Sequence, residues 1–214
     1  MNFKTHKKGL IALALVFFML APMLMASTSV HAGTSAQGSF SVVKDAQTLP
    51  LSGSNKYNPT PTTITSVTIP STTALGTLLG FDIVINNAAN VNGWALPTVA
   101  WNPAVLTCTG AKEGPFLQDN AAGTGTAFLV GAIGSPAGTI GGGIADAIQG
   151  TAQSPDSTAV VCTIYFTVVG YGTSPVSITG TGSNQAYLHT APGTTDPQIP
   201  VETTDASVTQ QAPA

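Results

Sequence analysis

Cys108 and Cys162 are the two cysteines of this chain, and each lies in a segment that alternates like a β-strand. In AVLTCTG the period of two places Cys108 beside Leu106, and in TAVVCTIYFTVVG it places Cys162 beside Phe166. Because both cysteines fall on apolar sides, we expect one disulfide that ties two strands across the core of an exported protein. A zinc site is the weaker alternative, since two thiols without a spaced Cys or His partner fall short of four ligands.

The residues available for acid–base chemistry are scattered along the chain. Glu113, Asp119, Asp146 and Asp156 are candidates for a hydrolytic acid pair, but no spacing marks two of them as partners. His189 is the only histidine after residue 32, and no nucleophile motif surrounds a serine that it could activate. No catalytic residue is therefore predicted.

Two motifs that bind small ligands are also missing from the sequence. The stretch GTIGGGIAD, residues 138–146, lacks the Lys-Ser/Thr of a phosphate loop and is predicted to be a glycine-rich strand or bulge. No loop alternates Asp and Asn before a closing Glu, as calcium loops do. The sequence predicts neither a cofactor nor a metal ion.

Both tryptophans lie in GWALPTVAW, residues 93–101. On an exposed sheet they would form a stacking platform for sugars, whereas in the core each contributes roughly 2–3 kcal/mol by burial. Pro97 cannot donate to a strand ladder and predicts a bulge that resets the alternation. With that reset Trp94 and Trp101 both face inward, and we predict them, with Phe166, to be core aromatic residues.

Short apolar runs separated by Gly, Pro and Asn turns recur along the chain, and no window has sustained helical periodicity. This pattern predicts an all-β sandwich or barrel. A strand at Phe40–Val43 is expected at the edge of its sheet. The other predicted strands are Thr63–Ile69, Leu78–Ile85, Gly93–Trp101, Val105–Thr109, Thr126–Ile133, Thr139–Ile148, Thr158–Val169, Pro175–Gly180, Gln185–Thr190 and Asp205–Thr209.

Residues 1–32 have the layout of a secretory signal peptide, with lysines, an apolar run and small residues before a cleavage site after Ala32. Pro22 interrupts the apolar run, so a membrane contact is expected only through this segment if it is retained. The step KKGL offers an alternative, cleavage after Gly9 as in pilin-like precursors. The remainder is predicted as a polar lead-in at 33–62, one β domain at 63–209 and a polar tail at 210–214.

The charge of the chain excludes nucleic acid as a partner. After residue 32 there are three lysines against nine acidic residues and no arginine, a formal charge of −6. Binding to phosphates requires clustered Lys and Arg, which this region does not have. The surface must instead be built mainly from Thr, Ser, Gly, Asn and Gln.

Several segments follow one another in a familiar order between residues 63 and 209: LLGFDIVINNAANVNGWAL, WNPAVLTCTGAKEGPFL, a glycine-rich hairpin, TAVVCTIYFTVVGYGTSPVSITG and DASVT. Together they resemble the cohesin domain of cellulosomal scaffoldins and of archaeal and bacterial secreted proteins. Two positions depart from the family, with Trp101 in place of Tyr and Asn102 in place of Asp. The resemblance implies a jelly-roll-like β-sandwich of about nine strands, related to carbohydrate-binding modules. It also implies docking of a calcium-bound dockerin through a sheet face, without catalysis.

The sequence thus predicts a secreted, non-enzymatic binding or adhesion module, extracellular or at the cell surface. Its expected partner is a dockerin-like protein or a polysaccharide, with self-association as a further option. One alternative is a carbohydrate-binding module, if Trp101, Tyr171 or Tyr187 lie exposed and in line. The other is a pilin-like or thread-forming subunit, if the strand at Phe40–Val43 inserts into a neighbour.

Overall fold

The structure, a computed structural model, describes residues 38–46, 59–88, 90–119, 121, 125–149, 157–180, 185–189 and 199–214. Residues Ala36–Ala214 form one compact unit. The signal peptide expected at 1–32 lies outside the described residues, as do both of its candidate cleavage sites, so these stay predictions.

The described residues are almost entirely extended, because Val, Ile, Thr and aromatic residues alternate with small ones between glycine and proline turns. They form fourteen strands and one short helix, α1 (Pro115–Gln118), which begins with a proline as helix starts favour. The strands are β1 (Ser39–Lys44), β2 (Ser66–Ile69), β3 (Leu78–Ala88), β4 (Gly93–Leu96), β5 (Thr98–Trp101), β6 (Leu106–Glu113), β7 (Leu129–Ile133), β8 (Thr139–Ala147), β9 (Ser157–Val168), β10 (Gly172–Thr179), β11 (Tyr187–His189), β12 (Ile199–Pro200), β13 (Glu202–Thr204) and β14 (Ala206–Gln210). No helix within these ranges is long and apolar enough to cross a membrane.

The smaller sheet has five strands in the order β13-β1-β3-β9-β6. β1 pairs antiparallel with β3 and parallel with β13, so it lies inside the sheet. The edge position expected for Phe40–Val43 is therefore wrong, because β13 returns from the far end of the chain to cover that side. The lead-in expected at 33–62 likewise contributes a full strand to the sandwich, with Phe40 completely buried.

The larger sheet has nine strands, in the order β12-β11-β4-β8-β5-β10-β14-β2 with β7 paired to β8. β4 and β5 follow each other along one side of β8, where Leu96 lies opposite Ile144 and Val99 opposite Ile140. Pro97 separates the two strands and interrupts their ladder. The predicted reset of the alternation is confirmed, since the residues on both sides of Pro97 that were expected to face inward are buried.

The two sheets enclose one apolar core, and aromatic pairs connect them. Phe40 of β1 meets Trp94 of β4 edge to face with ring centroids 6.4 Å apart, and Trp101 of β5 meets Phe166 of β9 at 5.4 Å. Such pairs contribute about 0.5–1.5 kcal/mol each beyond their buried area. The all-β sandwich predicted from the sequence is confirmed.

The last strand is anchored at its end by a glutamine. Gln210 is buried and its Nε2 donates to the carbonyl oxygens of Pro70, at 3.2 Å, and Thr73, at 3.3 Å. The polar tail expected at 210–214 therefore begins one residue later, with exposed Gln211.

Candidate functional site

Cys108 and Cys162 lie on β6 and β9, which are neighbours in the smaller sheet. Both are buried and free. Cys108 is opposite Phe166, four residues along β9 from Cys162, so roughly 13 Å of strand separates the two thiols. A disulfide requires Cα atoms about 4.4–6.8 Å apart. The predicted disulfide is wrong, because both cysteines face the core from adjacent strands out of register rather than from opposite sheets.

The absence of this bond gives a direct expectation for thiol chemistry. Burial raises the pKa of the Cys108 thiol, and burial and then the nearby Asp82 and Asp146 carboxyls raise that of Cys162. Because the thiolate is the reactive form, neither cysteine should alkylate in the folded protein. Both should alkylate after denaturation without reductant, and reductant should leave the melting temperature unchanged. Intact-mass analysis tests this, and a denatured chain that takes up no alkyl group would contradict it.

Glu113 and Asp146 lie beside each other between the two sheets. Glu113 ends β6 opposite Cys162, and Asp146 lies on β8 opposite Trp94, so both side chains point inward. Thr126 Oγ donates to Glu113 Oε1 at 2.5 Å and Gln118 Nε2 donates to Oε2 at 2.8 Å. We call Glu113, Asp146, Thr126 and Gln118 the acid cluster.

The surroundings of Asp146 favour its protonated form. Its side chain is 3% exposed, and neither carboxyl oxygen makes a hydrogen bond of normal geometry with a described residue. Burial, then the charge of the adjacent Glu113 and its hydrogen bonding, raise the pKa of Asp146 to about 8, while the Ala147 backbone lowers it. A catalytic acid must reach its substrate, and Asp146 has almost no surface to offer. Within the described ranges, no three Asp, Glu, His or Cys side chains are grouped to hold a metal ion.

A second buried carboxyl, Asp82, lies on the opposite side of the smaller sheet from the core. Thr163 Oγ donates to Asp82 Oδ1 at 2.5 Å, and Oδ2 has no partner among the described residues. Burial raises the pKa of Asp82 to about 7, with the Thr163 hydrogen bond lowering it and Asp45 raising it. Asp82 therefore carries a structural proton over much of the acidic range.

The outer face of the larger sheet carries small uncharged side chains, and we call it the uncharged face. Strand pairing defines which residues point outward, and none of those described is Lys, Asp or Glu. On its four central strands, β4, β8, β5 and β10, the outward residues are Gly93, Ala95, Thr98, Ala100, Thr139, Ala145, Ala147, Thr173, Pro175, Ser177 and Thr179.

β7 borders the uncharged face and forms an edge of the larger sheet. Leu129 lies opposite Ala145, points outward and is 67% exposed. Val130 and Ile133 point to the inner side but remain exposed at the margin, 36% and 41%. A register shift between Val130 and Ala132 interrupts the ladder, a common feature of protected edge strands. Exposed apolar groups clustered on one edge are typical of an interaction surface.

The aromatic residues that the structure describes do not form a sugar platform on this face. Trp94, Trp101 and Phe166 are buried in the core. On β11, Tyr187 and His189 point outward, but their rings are perpendicular, 5.0 Å apart at an interplanar angle of 89°. Perpendicular rings do not present one flat surface to a sugar.

Several solved structures are similar to this chain. A type I cohesin from Pseudobacteroides cellulosolvens is 16% identical to this chain, with a TM-score of 0.47, and the match covers 82% of this chain and 94% of the cohesin chain. A type II cohesin from Acetivibrio cellulolyticus is 16% identical, with 80% and 95% covered and a TM-score of 0.49. This chain is similar in fold to cohesins. A cohesin of scaffoldin B from the same organism, solved in complex with a Cel5 dockerin mutant, is 10% identical, with 81% and 99% covered and a TM-score of 0.47.

Neither a protein-family model nor a curated protein matches the chain. The cohesin family that the sequence resembles is the family named for these solved structures. Glu113 and Asp146 were two of the four candidate acids in the sequence, but no spacing marked them as partners, and nothing in the sequence marked β7 as a functional feature. In AFLVGAIG apolar residues fall on both sides of the strand, a pattern that equally predicts a strand buried on both faces.

Proposed function

We propose that this chain is a non-catalytic binding module that docks a dockerin-type protein through the uncharged face and the β7 edge. Leu129 is the observation that carries the proposal. It is a large apolar side chain, two-thirds exposed, beside β8, whose outward side chains are small. Covering it on docking contributes roughly 1.5–3 kcal/mol if it becomes fully buried.

The uncharged face favours a partner of matching chemistry. Ala, Thr and Ser side chains allow a partner's backbone or apolar residues to approach closely, and no described Lys, Asp or Glu on this face has to be desolvated. The partner is therefore expected to bring apolar side chains to Leu129 and few charges to the sheet. The sequence resemblance to cohesins supports a dockerin as the class of partner.

We also propose that the module acts outside the cell or at its surface. The signal-like layout of residues 1–32 supports export, as does a composition with only 7% charged residues and a surface rich in Thr, Ser and Gly. Export places the uncharged face where it meets partners on other secreted proteins.

Leu129→Asp should weaken docking at least tenfold, which corresponds to about 1.4 kcal/mol, because it places an unpaired charge at the centre of the apolar contact. The measurement is titration calorimetry of residues 33–214 against a panel of calcium-loaded dockerin modules. Circular dichroism should show the same fold as the wild type, since the position is exposed.

Ile64→Asp is the matched control. Ile64 is also apolar and exposed, 46%. It precedes β2, an edge strand that is separated from β7 by several strands of the larger sheet, so its substitution should leave binding unchanged. Equal affinity of the Leu129 variant and the wild type would remove the β7 edge from the interface. Failure of every dockerin, with binding to a glycan or concentration-dependent light scattering instead, would overturn the dockerin proposal.

A further inference from the structure

The segment 126–128, which leads into β7, makes hydrogen bonds to both sheets. Thr126 forms a bridge with Ile148 next to β8, and the Ala127 N–H donates to the Ala147 carbonyl at 2.8 Å. The Thr126 hydroxyl reaches the other sheet, where it donates to Glu113 at the end of β6. β7 begins at Leu129, two residues after Ala127, and its pairing with β8 continues from this attachment.

Asp146 lies directly behind that attachment. It points inward from β8, the strand that pairs with β7, and it is next to Glu113. Trp94 is opposite Asp146 on β4. The ring of Phe128, which directly precedes β7, lies 6.3 Å from the Trp94 ring and is tilted against it by 54°. The carboxyl, the indole and the segment leading to β7 are therefore in one packed group.

The charges around this group are almost all negative. Glu113 faces Asp146 from β6. The Cys162 thiol lies on β9, and the nearby Asp82 and Asp146 carboxyls raise its pKa. Lys112 points to the other side of the smaller sheet, opposite Thr163, and Asp119 beyond α1 is exposed. His189 lies on the uncharged face of β11, and β4, β7 and β8 bring no cation to the cluster among their described residues. Two carboxyl groups in this setting can stay together only while a proton separates their charges.

We propose that the protonated carboxyl of Asp146 is a pH-sensitive latch that holds the β7 edge in its docking position through Glu113 and Thr126. Loss of the proton places two carboxylates side by side in a buried site. Their repulsion displaces Glu113, breaks its hydrogen bond with Thr126 and frees the segment before β7. The effect on docking rests on the proposed function, whereas the latch itself is a property of the free protein.

The sign of the pH dependence follows from the raised pKa. Burial and Glu113 hold the pKa of Asp146 near 8, above its ordinary value of 3.8, so the folded state keeps a proton that the unfolded state loses. The latch is closed at neutral and acidic pH and opens as the pH rises through the folded value. Because the two carboxyl groups interact, the transition belongs to the pair rather than to one residue.

Hydrogen exchange of the free protein tests the latch without any partner. After correction for intrinsic rates, protection of the β7 amides should fall about tenfold between about pH 6 and pH 9.5, while β3 and β9 amides keep theirs. In Asp146→Asn the corrected protection of the β7 amides should be the same across this pH range. Glu113→Gln is the second variant, and it should keep β7 protected at the higher pH because the like charge is gone.

Asp82→Asn is the matched control, since it removes another buried carboxyl with a raised pKa far from β7. That variant should retain the full pH response of β7. Equal β7 protection in the wild type at both pH values, or an undiminished response in both Asp146→Asn and Glu113→Gln, would overturn the latch. Failure of all dockerins to bind would leave these exchange results untouched, so the two proposals fail separately.

Discussion

Trp94→Ala is expected to lower the free energy of unfolding by about 3–5 kcal/mol, as large-to-small changes at buried aromatic residues do. The indole is 1% exposed and lies between the sheets, with its ring centroid 6.4 Å from that of Phe40 and 6.3 Å from that of Phe128. Removal of the indole leaves a cavity between the two sheets that their backbones cannot close. Because domains of this size are stable by about 5–15 kcal/mol, the loss should shift the guanidinium midpoint strongly. Far-UV circular dichroism and the remaining Trp101 fluorescence report the transition.

Tyr171→Ala serves as the control for this substitution. Tyr171 is an aromatic residue of the turn after β9 and is 47% exposed, so its loss should change stability by no more than about 0.5 kcal/mol. A Trp94 variant as stable as the Tyr171 variant would show that the indole is not packed in the core.

Gly143→Ala is expected to cost about 3 kcal/mol or more and can prevent folding altogether. Between the pairs Leu96–Ile144 and Val99–Ile140, β8 has one residue more than the strands opposite, and the glycines of β8 absorb the excess. Gly143 has a φ of +72°, and a Cβ there would overlap the carbonyl oxygen of Leu96 and lie 2.7 Å from that of Pro97. The substitution combines backbone strain of about 1–2 kcal/mol with overpacking of about 1–3 kcal/mol.

Gly142→Ala separates these two contributions. Gly142 has a φ of +80°, but a Cβ at this position would meet nothing within 4 Å. Its cost should therefore be the strain alone, about 1–2 kcal/mol. Chemical denaturation of both variants gives the difference, and equal costs would mean that β4 and β5 move away from β8 without penalty.

The alternation of apolar residues was a reliable guide within each strand and a poor one between strands. It correctly placed Cys108 and Cys162 on core faces, and it identified the long strand that became β9. A period of two states which side of a sheet a residue faces, but not which strand lies next to it. The predicted disulfide failed for this reason, since β6 and β9 are adjacent in one sheet.

The alternation of apolar residues could not predict the acid cluster, because a bulge in β6 changes the side of the sheet on which Glu113 lies. Between Cys108 and Gly110 β6 gains a residue relative to β9, so Lys112 turns outward and Glu113 turns inward. Without that bulge Glu113 would face solvent and Asp146 would have no partner. TCTG contains a glycine that permits a bulge, but nothing in the sequence requires one there.

The β7 edge was missed for a different physical reason. Exposure depends on what covers a strand, and an apolar segment such as LVGAI looks the same whether another layer covers it or not. Leu129 became a candidate only once the pairing showed β8 on one side of β7 and no described strand on the other.

The pairing of the chain's first and last strands also sets an order for folding. β1 joins β13, with Ser39 opposite Glu202, and β2 joins β14, with Ser66 opposite Ser207, so each sheet unites distant parts of the chain. A polypeptide that emerges N-terminus first therefore displays β1 and β2 long before their partners exist. Contacts of such long range fold slowly. The smaller sheet therefore stays incomplete until β13 has emerged, and the larger sheet until β14 has emerged.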